Sequence, residues 1–179
     1  LVGGGSASDA LADGVSRFRA LRLAELQESD LISSADSGLY EKTAPAKLGH
    51  VEGFVSHSWQ DPGPAKYEQL VAWGDEARRG GVAEPRVWLD KACIKQDQTD
   101  EEKQADINSL PVFLSGCRSL VVLAGPTYAS RLWYATRARL PSAHASRAIH
   151  PHRSPLPLRT RCVVELFVFL KMGGERERI

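Results

Sequence analysis

The sequence predicts an α/β protein in which a parallel sheet has helices on both faces. Three short apolar runs rich in β-forming residues alternate with segments of helical periodicity, a pattern typical of βαβ units. The chain has 179 residues, of which 42% are hydrophobic and 25% charged, which fits one globular domain with an arm. We therefore expect the order β-α-β-α-β, then an insert and a last helix.

The first 48 residues predict an N-terminal arm with one short helix and a linker. Residues 1–14 are small and Gly-rich, which favours mobility. Val15, Phe18 and Leu21 follow at helical spacing among good helix formers, so a short amphipathic helix is expected across them. Residues 33–49 are rich in turn-forming residues and predict a loop.

The first βαβ unit is predicted within residues 50–90. Buried strands are expected in "HVEGFVSHSW", residues 50–59, and in "PRVWLD", residues 85–90. The helix between them begins after the turn "QDPGPAK" and stops at Gly80 and Gly81. Its predicted inner face contains Tyr67, Leu70, Val71 and Gly74.

A loop, a second helix and a third strand are predicted next. Residues 91–98 read as the loop, and Thr99 with Glu102 forms a capping-box pattern at the start of the helix. A break or kink is expected at Pro111. The almost wholly apolar "RSLVVLAG", residues 118–125, predicts the third strand. The inner face of this helix should contain Ile107, Leu110 and Leu114.

A basic, low-complexity insert is predicted at residues 134–161. It contains six Arg, three His and four Pro, with no Asp or Glu, so a disordered segment is expected. Without it, 17 Lys and Arg would face 22 Asp and Glu, a net charge of −5. An acidic body argues against a nucleic-acid surface. The three His lack acidic or Cys partners nearby in the sequence, so no metal site is predicted.

The cysteines and the apolar segments bear on the compartment. Cys93, Cys117 and Cys162 are widely spaced and odd in number, which favours reduced thiols in the cytoplasm. The best candidate for a membrane span, Val163–Met172, is shorter than the ~20 residues needed and contains charges. We see no signal peptide pattern. The missing initial Met and the small number of strands predict a fragment whose C-terminal end is cut short.

Polar and aromatic residues follow each predicted strand. The carboxyl ends of parallel strands share one edge of a sheet, and ligands bind there in open α/β folds. The residues that should meet at this edge are Ser56, His57, Ser58, Trp59, Asp90, Lys91, Gly125, Pro126 and Thr127. Strands also end in polar turns for purely structural reasons, so both interpretations stay open.

Several familiar sites are excluded or weak. Neither a P-loop pattern nor a dinucleotide-binding glycine fingerprint occurs. A Cys–His peptidase using His57 with Cys93 or Cys162 is an alternative, although neither cysteine lies in a nucleophile motif. Cys93 and Cys117 are also ordinary candidates for small buried core residues. For Trp73 and Trp88 we expect core packing rather than a ligand role.

Three motifs resemble a known family. "WLDKACIKQ", residues 88–96, resembles the W-[IL]-D-x-x-C-I-x-Q signature of fungal heterokaryon-incompatibility (HET) domains. "FVSHSW", residues 54–59, is similar to the first box of that family and of Toll/interleukin-1 receptor (TIR) domains. "CRSLVVLAGPTYASRLW" followed by "CVVEL" is similar to the TIR pattern of a strand, a turn and a helix opening with Cys-x-x-Glu. The match runs from about Gly49 to Gly174 and skips the insert.

The resemblance implies a fold and a function. It implies a flavodoxin-like, TIR-like three-layer sandwich over residues 49–179, interrupted by the insert at 134–161. It also implies an intracellular signalling module of innate immunity or cell death, which self-associates or binds similar domains. Such a module needs no cofactor.

An enzymatic alternative follows from the same resemblance. Many TIR domains resemble NAD glycohydrolases, whose catalytic carboxylate would be Glu165 here, with NAD as substrate. Cleavage of the nicotinamide–ribose bond builds positive charge on the ribose, which a carboxylate can offset. The implied substrate-binding residues are Ser56, His57, Trp59, Asp90, Tyr128 and Trp133. The structural alternative for Glu165 is a solvent-facing helix residue, because it points away from the apolar stripe of its segment.

The insert separates a unit that the family pattern keeps contiguous. Joining Trp133 directly to Cys162 gives "RLWCVVELF", in which Trp133 and Glu165 stand at i and i+4 on one helical face. We therefore hypothesise that residues 134–161 are a translated, unspliced intron or a gene-model error. The functional alternative is a basic loop that binds phosphate, nucleic acid or a membrane surface.

Overall fold

The computed structural model describes residues 7–33 and 36–128. Within these ranges five strands form one sheet in the order β2-β1-β4-β3-β5. β3 runs parallel to β4 and to β5, whereas β1 runs antiparallel to β4 and to β2. The strands are β1 (Arg19–Arg22), β2 (Ala44–Pro45), β3 (Val51–Ser56), β4 (Arg86–Trp88) and β5 (Cys117–Val122). The expected α/β class is confirmed, but the prediction of a wholly parallel sheet is wrong at the β1–β2 edge.

Helices precede, connect and flank these strands. The α-helices are α1 (Ala7–Arg17), α2 (Leu39–Lys42), α3 (Gly63–Arg79), α4 (Asp90–Cys93) and α5 (Asp100–Ser115). Two short 3-10 helices lie between β1 and α2, at Leu23–Glu25 and Glu28–Leu31. None of the helices in the described ranges is long and apolar enough to cross a membrane.

The sequence predictions are wrong in four places, three of them in the N-terminal arm. The helix expected across Phe18 and Leu21 ends at Arg17, and the chain continues as β1. Tertiary pairing explains this, because Leu21 lies opposite Val87 of β4 and is fully buried there. Helical structure also begins at Ala7, inside the stretch expected to be mobile. The loop predicted at 33–49 contains α2 and β2. The loop predicted at 91–98 contains most of α4.

The first βαβ unit follows its prediction closely. β3, α3 and β4 occur in the expected order, and α3 starts directly after Pro62 with a proline in its first turn. Gly80 caps its end, and Gly81 adopts a positive φ of 96° that favours glycine. Leu70 is buried on the inner face as expected, but Val71 remains 37% exposed.

The helix α5 is stabilised at its start as its sequence predicts. Thr99 Oγ1 accepts from the backbone N–H of Glu102, and the Glu102 carboxylate accepts from the backbone N–H of Thr99, completing the capping box. A break or kink is expected at Pro111, and the helix is not broken there, since it continues to Ser115. Leu114 is buried, as predicted for the inner face.

The helices α3 and α5 lie on opposite faces of the sheet. On one face, the Phe54 ring stacks on Trp88 with centroids 4.5 Å apart, and Trp88 contacts Phe113 of α5 at 5.4 Å. On the other face, a Cβ at Gly53 would lie 3.0 Å from the ring of Trp73 in α3. Because neighbouring strand residues face opposite ways, Gly53 and Phe54 assign the two helices to two separate layers. The carboxyl ends of the parallel strands therefore lie at the edge of a sheet that is covered by α3 on one face and by α5 on the other.

Candidate functional site at the carboxyl ends of the parallel strands

The order of the parallel strands creates a switch point at β3. The chain passes from β3 through α3 to β4 on one side, then through α5 to β5 on the other side of β3. In open α/β sheets the loops that leave the strands at such a point diverge and form a crevice in which ligands bind. A ligand site is therefore expected between the loops after β3 and β5.

Two serines connect these loops. Ser56, the last residue of β3, lies 3.0 Å through its Oγ from the hydroxyl of Tyr128. Two residues later, Ser58 Oγ lies 2.6 Å from Thr127 Oγ1. Ser56, Ser58 and Tyr128 are all at most 2% exposed. Buried hydroxyl groups must find partners, and these three find them across the switch point.

Asp61 completes the connection between the loops. Its Oδ1 accepts from both the backbone N–H and the hydroxyl of Thr127, each at 2.8 Å. A Cβ at Gly125 would lie 2.8 Å from the same oxygen, so glycine permits this close approach. We call Ser56, Ser58, Asp61, Thr127 and Tyr128 the rim network. Asp61 Oδ2 is buried without a hydrogen-bond partner.

A second group of predicted residues meets beside the rim network. Trp59 Nε1 donates to Asp90 Oδ2 at 3.1 Å, and His57 Nε2 lies 3.9 Å from Asp90 Oδ1. The rings of His57 and Trp59 are 5.0 Å apart and tilted by 58°. Asp90 also accepts from the backbone N–H of Lys91 at 2.7 Å. The expected meeting of the ends of β3 and β4 is therefore observed.

Exposure decides which of these groups a ligand could reach. The side chain of His57 is only 3% exposed, whereas that of Asp90 is 19% exposed. A molecule approaching this edge would contact the Asp90 carboxylate before the imidazole. His57 is therefore less accessible to a ligand than Asp90 is.

Two buried lysines support the same loops. Lys66 Nζ donates to the carbonyl of Ser58 at 3.3 Å, and Lys91 Nζ donates to the carbonyls of Asp30 and Ser33 at 2.6 and 2.7 Å. Burial lowers the pKa of both lysines, and nearby carboxylates, including Asp90, partly oppose this effect. Lys66 thus joins α3 to the loop after β3, and Lys91 joins α4 to the segment that contains Asp30 and Ser33.

The structure therefore gathers most, but not all, of the predicted site. Ser56, His57, Trp59, Asp90 and Tyr128 lie at one edge. Glu165 and Trp133 fall outside the described residues, as do Cys162 and the insert at 134–161.

Sequence reasoning missed two members of this edge, Asp61 and Lys66. The acid in "QDPGPAK" predicts a turn, and its position in the loop that leaves β3 is the signal that could have placed it at this edge. Lys66 carried no usable signal, because an isolated lysine near a helix start is usually solvated.

The chemistry available at this edge is polar and largely internal. In the described part of the chain, no group of three or more His, Cys, Asp and Glu side chains could hold a metal ion. Burial raises the pKa of Cys93 to about 12 and that of Cys117 well above its usual value, so both remain neutral thiols. The Cys–His peptidase alternative with Cys93 loses its nucleophile on this account.

Comparison of the chain with models of protein families, with curated proteins and with solved structures finds no match in any of the three.

Proposed function

We propose that residues 49–179 form a TIR-like and HET-like module of the flavodoxin-like fold, which acts in signalling by binding copies of itself or similar domains. One observation carries the proposal. The motifs "FVSHSW" and "WLDKACIKQ" resemble the same family, and they meet through the hydrogen bond from Trp59 Nε1 to Asp90 Oδ2 at 3.1 Å. The strand order β4-β3-β5 supports the flavodoxin-like part, since that fold begins with the order 2-1-3.

The burial of the rim network favours a binding module over an enzyme. Ser58 and Asp61 are at most 5% exposed, and their polar groups are mainly occupied with the loop after β5. Such a network fixes the shape of loops, whereas a catalytic site needs polar groups directed at a substrate. Partner binding requires only outer surfaces held in a defined shape.

Exposed apolar residues on two helices provide candidate contact surfaces. Leu11 and Val15 of α1, which belongs to the arm that precedes the module, are 50% and 43% exposed and stand at i and i+4. Val71 on α3 is 37% exposed. An amphipathic helix can bind a groove of its partner through apolar side chains spaced along one face, as Leu11 and Val15 are.

Sedimentation velocity over a range of protein concentrations tests the proposal. We expect concentration-dependent association of the full chain that Leu11→Lys or Val71→Lys weakens. The matched controls Ala12→Lys and Ala72→Lys add the same charge at exposed neighbouring positions and should leave association unchanged. A chain that stays monomeric at every concentration, with similar domains also failing to bind, would contradict the proposal.

The second candidate function is cleavage of NAD with Glu165 as the catalytic carboxylate. The observation that favours it is the position of Trp59, His57 and Asp90 at the edge where open α/β folds bind ligands. A partly exposed Asp90 could hold ribose hydroxyls, and Trp59 could stack on a flat ring.

An NAD-cleavage assay separates the two functions. It compares the full chain with a variant lacking residues 134–161, each with and without Glu165→Ala and the shape-conserving Glu165→Gln. The enzymatic candidate expects turnover that both substitutions abolish. Equal turnover in all proteins, or none in any, would remove the enzymatic role of Glu165 while leaving the association result to decide the first proposal.

A further inference from the structure

A polar cavity of about 170 Å³ lies beside β1, apart from the rim network. Six of the residues that line it form what we call the basic pocket: Arg17, Arg19, Tyr40, Lys95, Gln98 and Asp106. β1 runs antiparallel to β4, so Arg19, at its start, stands at the edge where β4 ends. The basic pocket thus opens at the same edge as the candidate site but uses none of its residues.

Arg19 brings a positive charge that no carboxylate in the described ranges pairs with. Its Nε and Nη2 donate to Thr43 Oγ1 and to the Thr43 carbonyl, both at 2.7 Å. Its guanidinium carbon lies 4.6 Å above the centre of the Tyr40 ring. These neutral partners fix the orientation of the guanidinium group and leave its remaining N–H groups for a ligand.

The single acid of the basic pocket is already occupied. Asp106 Oδ1 accepts from Arg17 Nη1 at 3.3 Å, and its Oδ2 accepts from Gln98 Nε2 at 2.6 Å. Arg17 additionally donates through Nε to Asp13 at 3.0 Å. The lining therefore holds three cations, Arg17, Arg19 and Lys95, against the single acid Asp106, while Asp13 shares Arg17 from outside the lining.

Lys95 supplies a third cation at the mouth of the basic pocket. Its Nζ lies 3.3 Å from Asp97, but the two side chains are 48% and 70% exposed. Exposed ion pairs of this kind contribute little to stability. The ammonium group can exchange Asp97 for an anion in the pocket at small cost.

Size and charge together identify the ligand class. The volume of about 170 Å³ is below the ~300 Å³ at which pockets for drug-sized ligands begin, so the basic pocket suits one small group. Guanidinium groups bind phosphoryl oxygens through paired N–H donors, and a lysine adds a point charge. We propose that the basic pocket binds a phosphoryl group, either as free phosphate or as the end of a phosphomonoester.

Calorimetric titration of the full chain tests this proposal. Inorganic phosphate forms one arm and phenyl phosphate the other, at ionic strength held constant with chloride so that screening does not vary. We expect saturable binding with one site per chain. Because a charge-assisted hydrogen bond is lost, Arg19→Gln and Lys95→Gln should each weaken binding by about tenfold or more. Binding in both arms assigns free phosphate as a sufficient ligand, and binding of phenyl phosphate alone assigns a phosphomonoester.

The control is Arg22→Gln, which removes the same charge from the same strand. Arg22 pairs with Glu25 on the exposed side and does not line the cavity. The phosphate affinity of the Arg22→Gln variant should therefore equal that of the unmodified chain. Circular dichroism checks folding, and if Arg19→Gln unfolds, Lys95→Gln decides alone. Failure of both arms to saturate, or an equal loss of affinity with Arg22→Gln, would overturn the proposal. Neither outcome depends on association or NAD cleavage.

Discussion

The rim network and the basic pocket lie at the same edge of the sheet but use their polar groups differently. In the rim network, Asp61 and Ser58 are almost fully buried and bind the loop after β5. In the basic pocket, Arg19 is held by neutral partners and Lys95 by a weak exposed pair. A carboxylate enclosed by its own chain maintains a fold, whereas a cation oriented by neutral groups is prepared for a ligand.

The largest expected effect concerns the thiol of Cys93, which borders the basic pocket and is buried. A pKa raised from 9.0 to about 12 lowers the thiolate fraction at pH 8 by about a thousandfold relative to the unfolded chain. In a Cys162→Ser variant, we expect iodoacetamide to modify Cys93 and Cys117 only after denaturation. Mass spectrometry of native and denatured samples measures this. Rapid modification of the native protein would contradict the burial of the thiols.

The pH dependence of the same thiol has a definite sign. Because the pKa of Cys93 is raised on folding, its stabilising contribution is complete below pH 9.0 and is lost as the pH rises towards 12. Cys93→Ala should therefore flatten the fall in unfolding free energy across this pH range. An unchanged slope would show that the thiol does not titrate differently in the two states.

The next largest effect is expected at the start of α3, directly after the loop that contains Asp61. A Cβ at Gly63 would lie 2.6 Å from the carbonyl carbon of Leu31, far inside the van der Waals contact distance. The atom it meets belongs to the backbone, which cannot move aside as a flexible side chain can. We expect Gly63→Ala to lower the free energy of unfolding by about 3 kcal/mol. The control is Gly80→Ala, whose Cβ would lie 3.3 Å from its nearest neighbour. Chemical denaturation compares the two variants, and equal stabilities would contradict the tight approach.

Removing the acid of the rim network should have a smaller effect. Asp61→Ala deprives the N–H and hydroxyl of Thr127 of their acceptor, with an expected cost of about 2 kcal/mol. Asp97→Ala removes an acid from an exposed loop and should change stability by less than about 0.5 kcal/mol. The same denaturation experiment measures both. A cost at Asp61 no larger than at Asp97 would mean that the rim network does not stabilise the fold.

The smallest effect is expected at the capping box of α5, outside both regions. Thr99→Ala removes the acceptor for the N–H of Glu102 and should cost about 1 kcal/mol. Ser115→Ala, at the exposed end of the same helix, serves as the comparison. A Thr99→Ala variant as stable as the unmodified chain would show that the capping box does not stabilise α5.

The sequence predicted the centre of the fold better than its edge. β3, α3, β4, α5 and β5 follow from local apolar patterns and caps. β1 does not, because its four residues become a strand through pairing with β4, which no local pattern records. The spacing of Phe18 and Leu21 predicts a helix. In the structure Phe18 follows the end of α1, Leu21 lies in β1, and both side chains are buried.

The same difference explains which site residues could be predicted. Trp59 and Asp90 come together because they follow adjacent parallel strands, an arrangement that βαβ order dictates. The basic pocket could not be predicted, since Arg19 reaches it only through the antiparallel pairing of β1. Long-range pairing at the sheet edge therefore limits what the sequence reveals about this molecule.

The most direct test of the contrast measures stability and phosphate affinity on the same two variants. Asp61→Ala should lower the free energy of unfolding by about 2 kcal/mol and leave the phosphate affinity of the folded protein unchanged. Lys95→Gln should leave stability within about 0.5 kcal/mol and weaken phosphate binding by about tenfold or more. Loss of affinity in Asp61→Ala together with unchanged affinity in Lys95→Gln would contradict the assignment of structure to the rim network and of binding to the basic pocket.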